Sequence, residues 1–170
     1  MRIFGTVENS TVDGKGIRYS LFVQGCGHHC KGCHNPNSWD YNGGVDIPIE
    51  QIIANINRVK LIKGVTFSGG EPLDKARELK EVIDGVLVVH PNYNFWSYTG
   101  YTFEEIYKEG NEDRLAFLHS IDVLVDGEFK LEQRSLLIPF RGSANQRVID
   151  VKKTLLNFDK GIEKVVLYME

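Results

Sequence analysis

Short β-rich runs alternate with amphipathic stretches of helical period along most of this chain, and that alternation narrows its fold more than any other feature. Residues 17–23 place Ile17, Tyr19, Leu21 and Val23 in alternation with Arg18, Ser20 and Phe22, a strand pattern of period two. Residues 64–68 form a second short strand closed by Gly69 and Gly70, residues 94–98 a third closed by Thr99 and Gly100, and residues 121–125 a fourth stopped by Asp126 and Gly127. Between the strands lie helices. One begins near Pro48, with Asp46 as its cap and Ile49, Ile52, Ile53, Ile56 and Val59 on one face. Another covers 75–90, with Ala76, Leu79, Val82, Ile83, Val86 and Leu87 as its apolar stripe and Gly85 interrupting the pattern. Thr102-Phe103-Glu104-Glu105 is a capping box that opens a third, and residues 113–119 form a fourth. Residues 9–16 are rich in turn formers and read as a loop, while 147–151 and 165–168 are weaker strand signals.

The order strand, helix, strand, helix, strand, helix, strand predicts an α/β fold, a mostly parallel sheet with helices packed outside it. A chain of 170 residues fits one domain over 1–170. With 42% hydrophobic and 25% charged residues it is no disordered tail, collagen-like repeat or coiled coil. Twenty Lys+Arg against 23 Asp+Glu leave a net charge of −3, which gives no general attraction to nucleic acid or an anionic membrane. No apolar run approaches the roughly 18 residues that span a bilayer. The N-terminus meets Glu8 too early for a secretory signal, so a cytoplasmic protein is expected.

In parallel α/β sheets the chemistry gathers at the carboxyl ends of the strands. Four distinctive segments fall there: a cysteine loop, Ser68-Gly69-Gly70-Glu71-Pro72, Ser97-Tyr98-Thr99-Gly100, and Asp126-Gly127. The three cysteines of the chain all lie in the first, as Cys26-Gly27-His28-His29-Cys30-Lys31-Gly32-Cys33, a C-x3-C-x2-C spacing. An odd number of thiols packed this closely suits a metal or redox site better than a disulfide framework. Thiolates select zinc, copper(I) or iron–sulfur clusters. Two chemistries fit. Cys26, Cys30 and Cys33 with one of His28, His29 or His34 make a tetrahedral zinc site, as in a zinc-stapled binding module. Alternatively, three cysteines on a 4Fe-4S cluster leave one iron open for a substrate. In the second segment, two glycines let backbone approach a ligand and the neighbouring carboxylate can hold an ammonium.

The stretch from Gly16 through Cys26 to Cys33-His34-Asn35-Pro36 resembles the glycyl-radical-enzyme activating branch of the radical SAM superfamily, whose signature is the C-x3-C-x2-C spacing. Ser68-Gly69-Gly70-Glu71-Pro72 is similar to the GGE motif of that superfamily. Trp96-Ser97-Tyr98-Thr99-Gly100-Tyr101, Asp122-Val123-Leu124-Val125-Asp126-Gly127 and the polar run from Arg141 to Arg147 narrow the resemblance to the activating proteins of anaerobic (class III) ribonucleoside-triphosphate reductases. Many superfamily members carry an aromatic residue before the third cysteine, where this chain has Gly32, as that branch also does.

The resemblance covers roughly residues 9–150 and implies a partial, incomplete β/α barrel of mostly parallel strands, of radical SAM type. It implies a 4Fe-4S cluster on Cys26, Cys30 and Cys33 with one open iron, which binds S-adenosyl-L-methionine through its amino and carboxylate groups. Gly69, Gly70 and Glu71 would hold the methionine end, and Gly32, His34, Ser97, Thr99 and Asp126 are further candidate cofactor contacts. Asp126 has a second reading as the cap of a turn. Reductive cleavage would give a 5′-deoxyadenosyl radical that takes a hydrogen from a glycine of the partner reductase. Asp13, Arg18, Arg141 and Asn145 are candidate contacts to that partner, and a low-potential flavodoxin or ferredoxin is the expected electron donor. An activase of another glycyl radical enzyme is the nearest rival. Residues 151–170 read as a C-terminal extension that adds a strand at 164–169.

Overall fold

A computed structural model describes residues 1–168. Seven strands form one sheet in the order β3-β1-β2-β4-β5-β6-β7. They are β1 (Arg2–Ser10), β2 (Arg18–Val23), β3 (Val45–Asp46), β4 (Gly64–Gly69), β5 (Asn94–Tyr98), β6 (Val123–Asp126) and β7 (Arg147–Asp150). The helices are α1 (Ile49–Arg58), α2 (Ala76–Val89), α3 (Phe103–Glu109), α4 (Glu112–Ser120) and α5 (Val151–Asp159). The four strands expected from the sequence, β2, β4, β5 and β6, are the parallel centre. The expectation of a mostly parallel sheet holds only there. β1 pairs antiparallel with β2 and β3, and β7 antiparallel with β6, so the sheet is mixed.

Alternation within the strands assigns the two faces. Tyr19, Leu21 and Val23 of β2, Val65 and Phe67 of β4, Phe95 of β5 and Leu124 of β6 pack against Ile52, Ile56, Leu79, Ile83, Phe117 and Leu155 from the helices. All five helices contribute to this one core. Gly85 stands inside α2 because a Cβ there would collide with Ile53 of α1, so the missing side chain lets the two helices close. On the other face Trp96, Val123 and Val125 pack with Tyr98, Phe140, Val148 and Tyr168. Phe140 comes from the long connection between β6 and β7, which lies over this face and accepts a 2.7 Å hydrogen bond from the Tyr98 hydroxyl at its backbone carbonyl.

Several boundaries differ from the sequence reading. β1 runs through Asn9 and Ser10, which had read as loop; most of its side chains are exposed, which erases the apolar alternation. Asp46 caps nothing. Its carboxylate binds the N-terminal ammonium at 3.0 Å, and Pro48 is the N-cap of α1. In the last stretch the main element is α5, capped by Asp150 accepting from the Lys153 amide. The strand expected at 164–169 reduces to a single antiparallel bridge between Ile149 and Leu167, and Met169 lies outside the described residues.

Arg18 is the other correction. It is fully buried at the start of β2 on the face away from the helices. Its guanidinium donates to the Thr66 hydroxyl (2.7 Å), the Lys15 carbonyl (3.2 Å), the Asn94 side chain (2.7 Å) and the Val65 and Asn94 carbonyls (2.9 and 3.0 Å). Its Cζ also lies 5.4 Å from the centroid of the Trp96 ring. Burial lowers its pKa to about 10, so it stays charged at neutral pH. With every donor engaged inside the protein, it has none to offer a partner. Asp13, half-buried, accepts from Ser10 (2.6 Å) and Ser20 (2.7 Å) through one carboxylate oxygen, Oδ2. Arg18→Ala leaves several buried acceptors bare, and a loss of about 3–5 kcal/mol is expected in chemical unfolding. Arg18→Lys retains the charge but cannot fill the five-donor fork, and should also destabilise measurably.

Candidate metal centre

The four strand-end segments meet on one rim. Cys26, Cys30 and Cys33 of the loop after β2, Gly69 at the end of β4 with Gly70 and Glu71 just past it, Thr99 and Gly100 after β5, and Gly127 and Phe129 after β6 line a common cavity of about 140 Å³. A broader groove of about 660 Å³ adjoins it, sharing His28, Gly100 and Gly127. The backbone fixes the cysteine loop to the rim. Gly25 N donates to the Ser38 carbonyl at 2.7 Å, Cys26 N to Trp39 at 3.1 Å, and Glu71 N to the Gly25 carbonyl at 2.8 Å. Gly70 sits so near Gly25 that a Cβ would strike its carbonyl oxygen, so only glycine lets these two segments touch.

The cysteines are partly to fully shielded, Cys26 most of all. Burial pushes the Cys26 and Cys30 thiols up, so without a metal both stay protonated at neutral pH. A metal centre would have to draw off those protons to gain thiolate ligands. Among the described residues no three His, Cys, Asp or Glu side chains converge on a single-ion site. The three candidate zinc histidines are directed elsewhere. His28 bonds two carboxylates, His29 stacks on Trp39 with centroids 4.6 Å apart, and His34 leans on Phe129 at 5.3 Å. A cubane fits this donor set better than one tetrahedral ion, because each of its cysteines binds a different iron and the sulfurs need not share one centre.

Glu71 is the most constrained acid of the site, 1% exposed. One oxygen, Oε1, accepts from the Leu73 amide and the Thr99 hydroxyl, both at 2.9 Å. The other, Oε2, accepts from the Gly100 amide at 2.9 Å and from His28 Nε2 at 2.7 Å. His28 Nδ1 reaches Glu128 at 3.0 Å. The hydrogen bond to Glu71, reinforced by Glu128 against the opposing effect of burial, raises the imidazole pKa to about 9. From the sequence His28 is a candidate zinc ligand; its place as the partner of Glu71 depends on a contact 43 residues away that no local pattern signals.

The remaining candidates divide. Thr99 lines the cavity and is held by Glu71, and His34 lies on the cavity edge. Gly32 is exposed, with φ +78, and a Cβ would come 2.8 Å from Leu131, which explains glycine where an aromatic residue is common. Ser97 is misplaced as a contact. It pairs with Phe67 and Leu124, so its side chain faces the helix layer and is fully buried. Asp126 does not line the small cavity but lines the adjoining groove. Its carboxylate accepts from the Phe103 amide at the start of α3 (2.8 Å) and pairs with Arg147, which the sequence reading had not singled out. Asp126 thus braces the start of α3, whose N-cap is Thr102, and does not cap its own turn at Gly127. Arg141 donates to the Gln146 carbonyl (3.3 Å), and Asn145 to the Glu128 carbonyl (2.8 Å). Both belong to the connection between β6 and β7, and Asn145 lines the broader groove.

Comparison with known proteins points to a 4Fe-4S domain. The family model described as a 4Fe-4S single cluster domain matches residues 12–149. The anaerobic ribonucleoside-triphosphate reductase-activating protein of Haemophilus influenzae is 39% identical over 141 residues, covering 79% of this chain and 88% of that relative. The Vibrio cholerae protein of the same name is 38% identical with the same coverage. The Escherichia coli K12 protein is 33% identical over 143 residues, covering 81% of this chain and 90% of its own length. No helix among the described residues is long and apolar enough to cross a membrane. With its cysteines on the rim of a parallel sheet centre and matches of this extent, the chain belongs to the 4Fe-4S single cluster domain family, among the anaerobic ribonucleoside-triphosphate reductase-activating proteins.

Proposed function

We propose that this chain, acting as one unit over residues 1–170, activates an anaerobic ribonucleoside-triphosphate reductase by generating a glycyl radical on it. The reading rests above all on one observation: three cysteines in C-x3-C-x2-C spacing and the Gly69-Gly70-Glu71 segment line a single cavity at the carboxyl ends of parallel strands. The open sheet, helices on one face only, suits the partial barrel of radical SAM proteins. Cys26, Cys30 and Cys33 are the cluster ligands in this reading, and S-adenosyl-L-methionine is the second cofactor. When bound, the two together supply one electron and a cleavable sulfonium, the source of a 5′-deoxyadenosyl radical.

The protein's own residues then bind, orient and shield. Gly70 offers backbone at the cavity wall, where a side chain would force the cysteine loop away. Glu71 presents a buried carboxylate for the amino group of the methionine part, with Thr99 fixing its orientation. Cys26 sits out of bulk water and Cys30 and Cys33 are partly shielded, which favours charge transfer to a bound sulfonium over side reactions. The broader groove beside His28 leaves room for a macromolecular substrate, the glycine-bearing loop of the reductase. A low-potential flavodoxin or ferredoxin is the reductant in this scheme.

Anaerobic reconstitution with iron and sulfide, followed by spin resonance with S-adenosyl-L-methionine and the reductase, tests the reading. The expected result is a glycyl radical doublet that disappears with Cys26→Ala, Cys30→Ala or Cys33→Ala. A colourless protein holding one zinc, or an alanine variant that still cleaves the cofactor fully, contradicts it. Gly70→Ala should lower iron and sulfide content several-fold after reconstitution. Gly5→Ala in β1, where a Cβ meets nothing within 4 Å, should leave both unchanged.

A further inference from the structure

One side chain of the cysteine loop crosses the rim. His28, between Cys26 and Cys30, places Nε2 2.7 Å from Glu71 Oε2 and Nδ1 3.0 Å from Glu128 Oε1. Its ring stands edge-on to Tyr101, with centroids 4.6 Å apart, and lies over Gly100, where a Cβ would come within 2.6 Å of it. The side chain is 13% exposed, Glu71 is 1% exposed, and Glu128 is open to solvent at 54%.

Glu71 accepts four hydrogen bonds, from Leu73, Thr99, Gly100 and His28. A carboxylate has about four lone-pair positions, so all are taken. A new cation can be accepted only if one donor leaves. The Leu73 and Gly100 donors are backbone amides, and Thr99 is buried within the rim. His28 alone has a second carboxylate already within bonding distance, on a residue facing water.

We propose that His28 is the specificity-determining residue of the amino-group subsite: it occupies the cation position on Glu71, gives it up to an amine-bearing sulfonium nucleotide, and is then retained by Glu128. This rests on the radical reading above, in which Glu71 receives the amino group. The site thereby favours ligands with an ammonium able to replace His28 over nucleosides that lack one, and Glu71 is never left buried without a partner.

The test is equilibrium binding to the reconstituted protein, with S-adenosyl-L-methionine and 5′-methylthioadenosine, which has no amino group, as the two probes. His28→Ala removes the competitor and should tighten S-adenosyl-L-methionine by about tenfold, the worth of one charge-assisted hydrogen bond, while 5′-methylthioadenosine is unchanged. Glu128→Gln removes the second anchor and should weaken S-adenosyl-L-methionine several-fold. Iron content is measured in each variant, and affinities are expressed per intact cluster. Opposite signs for the two variants are the expected signature. If S-adenosyl-L-methionine weakens in both, or both probes change equally, His28 is only a clamp and the proposal is wrong. If the unaltered protein with a full cluster does not bind S-adenosyl-L-methionine, the radical reading itself fails and this proposal falls with it.

Discussion

The buried carboxylate of Glu71 ties the rim together. Its four partners come from the start of the turn before α2, from the two residues after β5, and from the cysteine loop. A charge in so dry a place is stable only when its lone pairs are filled, so each segment is held where the carboxylate needs a donor. The loop bearing Cys26, Cys30 and Cys33 is therefore positioned by contacts that do not involve a metal. The backbone contact of Gly25 with Glu71 and the side-chain contact of His28 with the same residue act in one direction, drawing the cysteines over the end of β4.

The sheet beneath is built asymmetrically. One face is a continuous apolar layer under five helices. The other carries Arg18, Ser20 and Thr66 beside the apolar cluster around Trp96, a polar patch in which the guanidinium satisfies itself entirely against the protein. Such an arrangement closes the amino-terminal end of this face and leaves the carboxyl rim as the place where ligands gather, the general behaviour of parallel α/β sheets.

Much of this was legible in the sequence because the central strands are buried and their ends carry distinctive residues. β2, β4, β5 and β6 lay where period-two patterning and terminal glycines put them, and the four rim segments met as expected. β1 was not legible, since an outer strand with mostly exposed side chains carries no apolar alternation. α5 had a readable signal that went unused: Asp150 as cap, then Val151, Thr154, Leu155 and Phe158 at helical spacing. Side-chain roles were less accessible than positions. Ser97 and Asp126 stand at strand ends, yet register turns one to the helix layer and Arg147 captures the other. Arg18 reads as an ordinary surface cation until Asn94, Thr66 and two carbonyls are brought around it from distant points of the chain.

The connection between β6 and β7 has a different standing from the rest of the molecule. It lies over the face the helices leave bare, pinned through the Phe140 carbonyl and by Asn145 and Gln146 to its own first residues. None of its side chains belongs to the helix-side core, and Leu136 and Leu137 in it project into solvent. The tip around Leu136 and Leu137 can therefore be lengthened, shortened or rewritten while the foundation keeps its stability. Its first residues are a different matter, since Gly127 and Phe129 wall the cysteine cavity and Glu128 holds His28: one loop combines a hinge-side end tied to the thiols with a tip that answers to nothing else in the fold.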